Sequence, residues 1–197
     1  MLQVTRLSAR SYDESRHHVR TSQQYPLQID TVAVPECRGR LGMTLCPGKK
    51  QRDALTGDWS RDLDLDLLAI RDWGATVIVN LMEDHEMAEL GVADTPSRIP
   101  AGIEYLRMPI ADFGVPGPGW EAQWGEHGPG LLARLAAGEA VLLHCKGGLG
   151  RTGMVAARVL VESGLSPDEA ITAVRAARPG TIETAEQEAY VRKLHHG

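Results

Sequence analysis

The 197-residue chain lacks the features that mark membrane proteins and nucleic-acid-binding proteins. No apolar run approaches the roughly 18 residues that a transmembrane helix needs, and no apolar segment near the start predicts a secretory signal. Aromatic residues make up only 5% of the chain, too few for a base-stacking surface. The 21 basic and 26 acidic residues include no basic block, so we expect neither nucleic acid nor an anionic membrane as the main partner.

The chain also has few cysteines. Cys37, Cys46 and Cys145 are too few and too widely spaced for a disulfide framework, and they form no CxxC zinc pair. We therefore expect no metal, no cofactor and a reducing compartment, the cytoplasm. The sequence does not predict the oligomeric state.

The composition of the chain changes at about residue 26. Residues 1–26 are polar and aperiodic, which predicts a flexible N-terminal arm. Residues 27–197 contain no linker or repeat and are of a length typical of one domain. We therefore predict a single domain after the arm.

Short apolar runs alternate with segments of helical periodicity along this domain. Strands are predicted at 27–34, 39–45, 76–81, 103–108 and 140–144, and helices at 60–73, 84–90, 120–137, 152–163, 166–178 and 184–195. Such alternation predicts an α/β fold, with a mostly parallel central sheet and helices on both of its faces.

The most informative segment is HCKGGLGRTG, residues 144–153, which lies between a predicted buried strand and a helix. The carboxyl ends of such strands are where α/β folds bind ligands. Glycines in the turn let backbone N–H groups point inward, and the helix N-terminus adds positive potential. The planar fork of Arg151 suits two phosphate oxygens, so the segment predicts a cradle for a tetrahedral dianion. The predicted phosphate-binding residues are Lys146, Gly147, Gly148, Leu149, Gly150 and Arg151.

The same segment also matches G-x-G-x-x-G, the pattern of a dinucleotide-binding turn. That pattern requires a second strand that ends in an acidic residue about 20 positions further on. Here the acidic residues at that distance, Asp168 and Glu169, belong to a predicted helix cap. The sequence therefore favours the phosphate cradle.

Cys145 would lie at the base of this cradle. A helix N-terminus and a nearby cation lower a cysteine pKa, and the resulting thiolate can attack phosphorus to form a phosphocysteine intermediate. Thr152 is expected to donate a hydrogen bond to the sulfur, and His144 to orient the loop through a ring N–H. The alternative is that Cys145 is a small buried apolar residue, which would leave the glycines and Arg151 unexplained.

Segment 144–153 resembles the HC-x5-R-[S/T] signature of cysteine-dependent protein phosphatases. The chain is similar, more narrowly, to the cyclin-dependent-kinase-associated subgroup of dual-specificity phosphatases. The matching segments are 45–49, 109–116, 144–151 and 166–171, in an order that covers about residues 40–195.

A phosphatase also needs a proton donor for the leaving oxygen. Asp112, in the Pro- and Gly-rich stretch after the fourth predicted strand, is the candidate; alternatively it only begins a turn. Glu121 and Glu126 are fallback acids. The resemblance implies that Gln187 holds the hydrolytic water, although Gln187 also fits a capping box with Thr184.

The sequence limits the substrate less sharply. The resemblance implies a phosphorylated protein or small phosphomonoester, and Leu149, where a second basic residue would favour phosphoinositides, argues against inositol lipids. Trp120 and Trp124 are interpreted either as the lip of the cleft or as core packing, and residues 83–85 either as its rim or as a helix start. Two other functions stay open: a non-catalytic phosphate-binding module and a rhodanese-type sulfurtransferase.

Overall fold

A computed structural model describes residues 19–54 and 57–195 of the chain. These residues form seven strands and seven helices. The strands are β1 (Asp30–Val32), β2 (Arg40–Leu45), β3 (Lys50–Gln51), β4 (Trp59–Ser60), β5 (Ala75–Asn80), β6 (Glu104–Arg107) and β7 (Ala140–Cys145). The helices are α1 (Leu63–Trp73), α2 (Asp84–Glu89), α3 (Thr95–Arg98), α4 (Pro118–Ala136), α5 (Gly150–Glu162), α6 (Pro167–Ala177) and α7 (Ala185–Arg192).

Five of the strands form one sheet in the order β1-β2-β7-β5-β6. The pairings β2–β7, β7–β5 and β5–β6 are parallel, and only the edge strand β1 runs antiparallel to its neighbour. The carboxyl ends of four strands therefore meet at one edge of the sheet. The α/β class predicted from the sequence is confirmed.

The central strand β7 explains where the core lies. All six of its residues are buried, and alternate side chains point to opposite faces of the sheet. Val141 and Leu143 pack in the larger apolar cluster, with α4, α5 and α6. Leu142 packs on the other face with Leu67 and Ile70 of α1. Helices thus cover both faces, as predicted.

Several element boundaries differ from the predicted ones. The helix after the glycine-rich turn begins at Gly150 rather than at Thr152, and the first strand spans three residues rather than eight. The β3–β4 hairpin is too short to show a periodic pattern and was not predicted. The capping boxes at Ser166 and Thr184 are confirmed, because each side-chain oxygen accepts the backbone N–H three residues later.

Part of the predicted arm packs on the domain. The Arg20 N–H donates to the Asp58 carbonyl oxygen at 2.8 Å, and the buried Ser22 hydroxyl accepts the Asp62 N–H at 2.9 Å. These contacts fix residues 20–22, so the packed domain begins before residue 26. Residues 1–18 of the predicted arm lie outside the described residues.

None of the helices within the described ranges is both long enough and apolar enough to cross a membrane.

Candidate active site

The signature loop, residues 145–151, connects the carboxyl end of β7 to the first turn of α5. Two of its glycines are required by close contacts. Gly148 has a φ of 70°, and a β-carbon there would lie 2.3 Å from the Thr44 carbonyl oxygen. A β-carbon at Gly150 would lie 2.6 Å from the Glu183 carboxylate. Only glycine allows the loop to turn this tightly between its neighbours.

Cys145 lies at the floor of the loop and is 3% exposed. It pairs with Leu45 across the sheet and borders the larger apolar cluster. Beside it, Lys49 Nζ lies 3.5 Å from the Lys146 carbonyl oxygen. Cys46 is also buried nearby, and burial raises the pKa of its thiol. Cys46 therefore stays a neutral thiol at pH 7.

The Arg151 side chain is held by a buried carboxylate that the sequence analysis did not identify. Nη1 and Nη2 of Arg151 donate to the two Glu86 carboxylate oxygens at 2.6 and 2.8 Å. Both side chains are at most 2% exposed. Nη1 also donates to the Ile110 carbonyl oxygen at 2.9 Å. The guanidinium is therefore fixed in direction.

Hydrogen bonds and nearby charges shift the pKa of both partners of this pair. Burial alone would lower the pKa of Arg151, but its bonds to Glu86 and the charges of Cys145 and Asp112 raise it above the ordinary value. Burial acts to raise the pKa of Glu86, and the Arg151 and Glu83 hydrogen bonds outweigh it, so the pKa lies below the ordinary 4.5. Both groups are charged at neutral pH.

Asp112 lies on the acid loop, residues 109–117, which follows β6. Its Oδ1 accepts a hydrogen bond from Arg151 Nη2 at 2.7 Å, and its side chain is 38% exposed. The carbonyl oxygen of Gly114 accepts the Gln187 side-chain N–H at 3.3 Å. The acid loop therefore contacts Arg151 of the signature loop and Gln187 of α7.

Gln187 is buried and engaged in several contacts. Its Oε1 accepts the backbone N–H groups of Glu183 and Thr184, as expected for the capping interpretation. Its amide also lies close to Gly150, since a β-carbon there would be 2.8 Å from Gln187 Oε1. Gln187 thus joins the start of α7, the signature loop and the acid loop.

His144 and Thr152 lie beside Cys145 but do not make the predicted contacts. Neither ring nitrogen of His144 nor the Thr152 hydroxyl reaches a hydrogen-bond partner among the described residues. Burial lowers the pKa of His144 to about 4, although the adjacent Cys145 backbone acts in the opposite direction. His144 is therefore neutral at pH 7. The expected hydrogen bond from Thr152 to the sulfur is not formed in this structure.

Two residues hold the signature loop from outside, and the sequence analysis missed both. Arg178 donates from Nε to the Gly148 carbonyl oxygen at 2.6 Å and from Nη2 to that of Gly147 at 3.2 Å. The Glu183 carboxylate accepts the Gly150 N–H at 2.7 Å. The Gly150 N–H is therefore already bound to a carboxylate in this structure.

The tryptophans and the fallback acids have other roles. Trp120 and Trp124 are buried and stacked, with ring centroids 5.4 Å apart. This arrangement agrees with core packing and not with a lip of the cleft. Glu121 is bound to Arg158 and Tyr190. Glu126 is exposed on α4 and lines a separate cavity.

Residues 83–85, predicted as a rim or a helix start, begin α2. Glu83 is the N-cap, Asp84 pairs with Arg107, and His85 is exposed. The residue that reaches the site is the next one, Glu86. The sequence signal that could have indicated Glu86 is an acidic residue shortly after a predicted buried strand.

Comparisons with known proteins agree on one family. The family model Tc-R-P, "Polymorphic toxin system, DSP-PTPase phosphatase", matches residues 59–165. Cyclin-dependent kinase inhibitor 3 of Rattus norvegicus is 28% identical over 196 residues, which cover 95% of this chain and 88% of the relative. A crystal structure of kinase associated phosphatase, with its catalytic-site cysteine substituted by serine, matches with a TM-score of 0.75 and 28% identity, over 86% of this chain and 94% of the other. The structure of Tk-PTP in the active form matches with a TM-score of 0.57 and 32% identity, over 81% and 95%.

Replacing Glu86 with glutamine should destabilise the protein by about 3 kcal/mol at pH 7, because it removes one charge of a buried pair. The pKa of Glu86 is lowered on folding, so its contribution is present above pH 4.5 and lost as the pH falls through the lower folded value. Urea unfolding should therefore show a difference in the free energy of unfolding between wild type and Glu86→Gln, and this gap should narrow below pH 4.5. The exposed neighbour Glu89 gives the matched control Glu89→Gln, for which we expect little change; a constant gap at all pH values would contradict the prediction.

Replacing Glu183 with glutamine should tighten the binding of inorganic phosphate by about fivefold, because it removes a negative charge beside the cradle while keeping an acceptor for Gly150 N–H. Calorimetric titration measures the dissociation constant, and the gain should shrink at high salt. Glu186→Gln, on the first turn of α7, the helix that follows Glu183, is the control. Weaker phosphate binding by Glu183→Gln would show that the carboxylate does not oppose the ligand.

Proposed function

The chain belongs to the DSP-PTPase family of cysteine-dependent protein phosphatases, and from this membership we propose that Cys145, Arg151 and Asp112 hydrolyse phosphate monoesters through a phosphocysteine intermediate. One observation carries the assignment. A single loop joins Cys145 to Arg151, and the Arg151 guanidinium contacts Asp112 at 2.7 Å. Nucleophile, oxyanion clamp and acid are thus gathered at one edge of the sheet.

In the first step the signature loop binds the substrate phosphate. We propose that backbone N–H groups of the loop and the Arg151 guanidinium bind its oxygens. Glu86 keeps the guanidinium from rotating. The Cys145 sulfur then forms a bond to phosphorus while the bond to the leaving oxygen breaks. Asp112 gives its proton to that oxygen, since an alkoxide is a poor leaving group.

Asp112 must be protonated to act as this acid, yet it is paired with Arg151 in the structure. A phosphate dianion competes for the same guanidinium. Substrate binding therefore releases the Asp112 carboxyl group from Arg151 and lets it face the leaving oxygen.

In the second step water attacks the phosphocysteine, Asp112 takes the water proton, and inorganic phosphate leaves with regeneration of the thiolate. We propose that Gln187 positions this water, which is supported by its place between Gly150 and the acid loop. We propose that the Thr152 hydroxyl, which has no hydrogen-bond partner among the described residues, donates to the sulfur as the thiolate leaves.

For the substrate we propose a phosphorylated protein rather than an inositol lipid. Lys146 adds one cation next to the nucleophile, while Leu149 adds an apolar side chain. A catalytic thiolate also requires a reducing compartment, for which we propose the cytoplasm. The three cysteines are unpaired.

The two alternative functions make distinct predictions. A rhodanese-type sulfurtransferase would form thiocyanate from thiosulfate and cyanide, and it gives no role to Asp112. A non-catalytic module would bind phosphorylated partners without releasing phosphate. Turnover of p-nitrophenyl phosphate separates both from a phosphatase.

Cys145→Ser should abolish the release of p-nitrophenol while phosphate binding persists, because a serine hydroxyl is not ionised at neutral pH and cannot replace the thiolate. The partly exposed Cys37 provides the control variant Cys37→Ser, which should keep its activity. Turnover by Cys145→Ser would refute the covalent mechanism. Absence of turnover by the wild-type protein would instead favour the non-catalytic module.

Asp112→Asn should lower kcat by roughly 100-fold or more for phosphopeptides, whose leaving groups are poor, and by less for p-nitrophenyl phosphate. The basic limb of the pH–rate profile should flatten, because the proton that it reports is gone. Glu126→Gln, an exposed fallback acid, is the control and should behave as wild type. An unaltered profile in Asp112→Asn would place the acid elsewhere.

A further inference from the structure

A cavity of about 400 Å³ adjoins the signature loop. It shares Arg178 with the loop, whose Gly147 and Gly148 carbonyl oxygens Arg178 holds. Leu45, which pairs with Cys145 across the sheet, also lines it. The cavity is therefore a neighbour of the phosphate cradle.

Three arginines line this cavity, and no acidic side chain is among the described residues that line it. Two of the arginines are neutralised. Arg61 forms a buried two-point ion pair with Asp66, and Arg178 is bound to Asp30 at 2.5 Å. Arg20 makes no ion pair within residues 19–54 and 57–195, so its charge is uncompensated there.

Arg20 is nevertheless held in place. Its backbone N–H donates to the Asp58 carbonyl oxygen, and its carbonyl oxygen accepts the Ser60 N–H at 3.0 Å. Its guanidinium carbon lies 5.0 Å from the Trp59 ring centroid and 5.9 Å from that of Tyr25. Stacking on aromatic faces leaves the N–H edges of a guanidinium directed outward, which is the arrangement that binds carboxylates and phosphates.

Trp59 lies between Arg20 and a lysine beside the signature loop. The Lys49 ammonium lies 5.3 Å from the Trp59 ring centroid and 3.5 Å from the carbonyl oxygen of Lys146, the residue after Cys145. The Trp59 ring thus has one cation at the cradle and another in the cavity. Although the chain carries a net charge of −5, this region is positive.

We propose that the cavity centred on Arg20 and Trp59 is a second anion subsite, which binds an acidic group of the substrate close in sequence to the phosphorylated residue. The inference rests on the proposed function, since it takes the substrate to be a phosphorylated polypeptide. The anion is a carboxylate or a second phosphate group, which share the chemistry that a guanidinium edge recognises. The subsite makes the enzyme selective for phosphopeptides with acidic flanks.

The test compares phosphopeptides that differ at one residue, scanned over the positions that flank the phosphorylated one. That residue is glutamate, glutamine or a second phosphoserine. The readout is the ratio of kcat/KM for the charged peptide to kcat/KM for the glutamine peptide, because this ratio cancels any effect common to both. We expect wild type to prefer a charged peptide by about 5- to 10-fold at one position, as for the net contribution of one ordinary hydrogen bond.

Arg20→Gln should reduce this ratio to about one. Arg71→Gln, at an exposed arginine on α1 that pairs with Asp72, is the matched control and should keep the wild-type ratio. Preference for glutamate assigns the subsite to a carboxylate, and preference for phosphoserine alone assigns it to a second phosphate. A wild-type ratio near one at every position, or a ratio that survives Arg20→Gln, overturns the proposal.

A binding assay separates this outcome from failure of the proposed function. Fluorescence anisotropy with the same peptides measures dissociation constants on the Cys145→Ser background, with and without Arg20→Gln. If the wild-type protein releases no phosphate, the catalytic proposal fails, and the binding ratio alone still decides the subsite.

Discussion

The buried ion pair between Arg151 and Glu86 is the contact on which the rest of the site depends. Its two hydrogen bonds of 2.6 and 2.8 Å remove rotation of the guanidinium, and its partners are inaccessible to water. A buried pair adds little net stability, yet losing one partner is costly, so the pair fixes direction more than it adds free energy. With the fork held, Arg151 Nη2 faces Asp112, and the acid loop takes its position from that contact.

Sheet topology makes this contact possible. The signature loop, the Glu86 helix and the acid loop follow β7, β5 and β6, which are adjacent parallel strands. Parallel strands deliver their carboxyl ends to one edge, where α/β folds bind ligands. Glu86 and Asp112 lie 65 and 39 positions before Arg151 in the chain, and both contact its guanidinium there.

Prediction from the sequence succeeded where the signal was local. The glycine-rich turn and the capping boxes at Ser166 and Thr184 depend on residues a few positions apart, and the structure has them. Predictions about contacts between distant elements fared less well. The Thr152 hydroxyl lacks its expected bond, and the acidic residue that reaches the site is Glu86, just beyond the predicted segment 83–85.

By itself, then, the sequence determined the α/β class, the glycine-rich turn and Cys145 as the candidate nucleophile, because periodicity and turn chemistry are properties of contiguous residues. Only the tertiary structure decided that Glu86 holds Arg151, that Arg178 and Glu183 hold the signature loop, and that Arg20 stacks on Trp59 beside it. Those contacts depend on strand order and on which helix covers which face. Long-range packing sets both, and no short stretch of the chain records them.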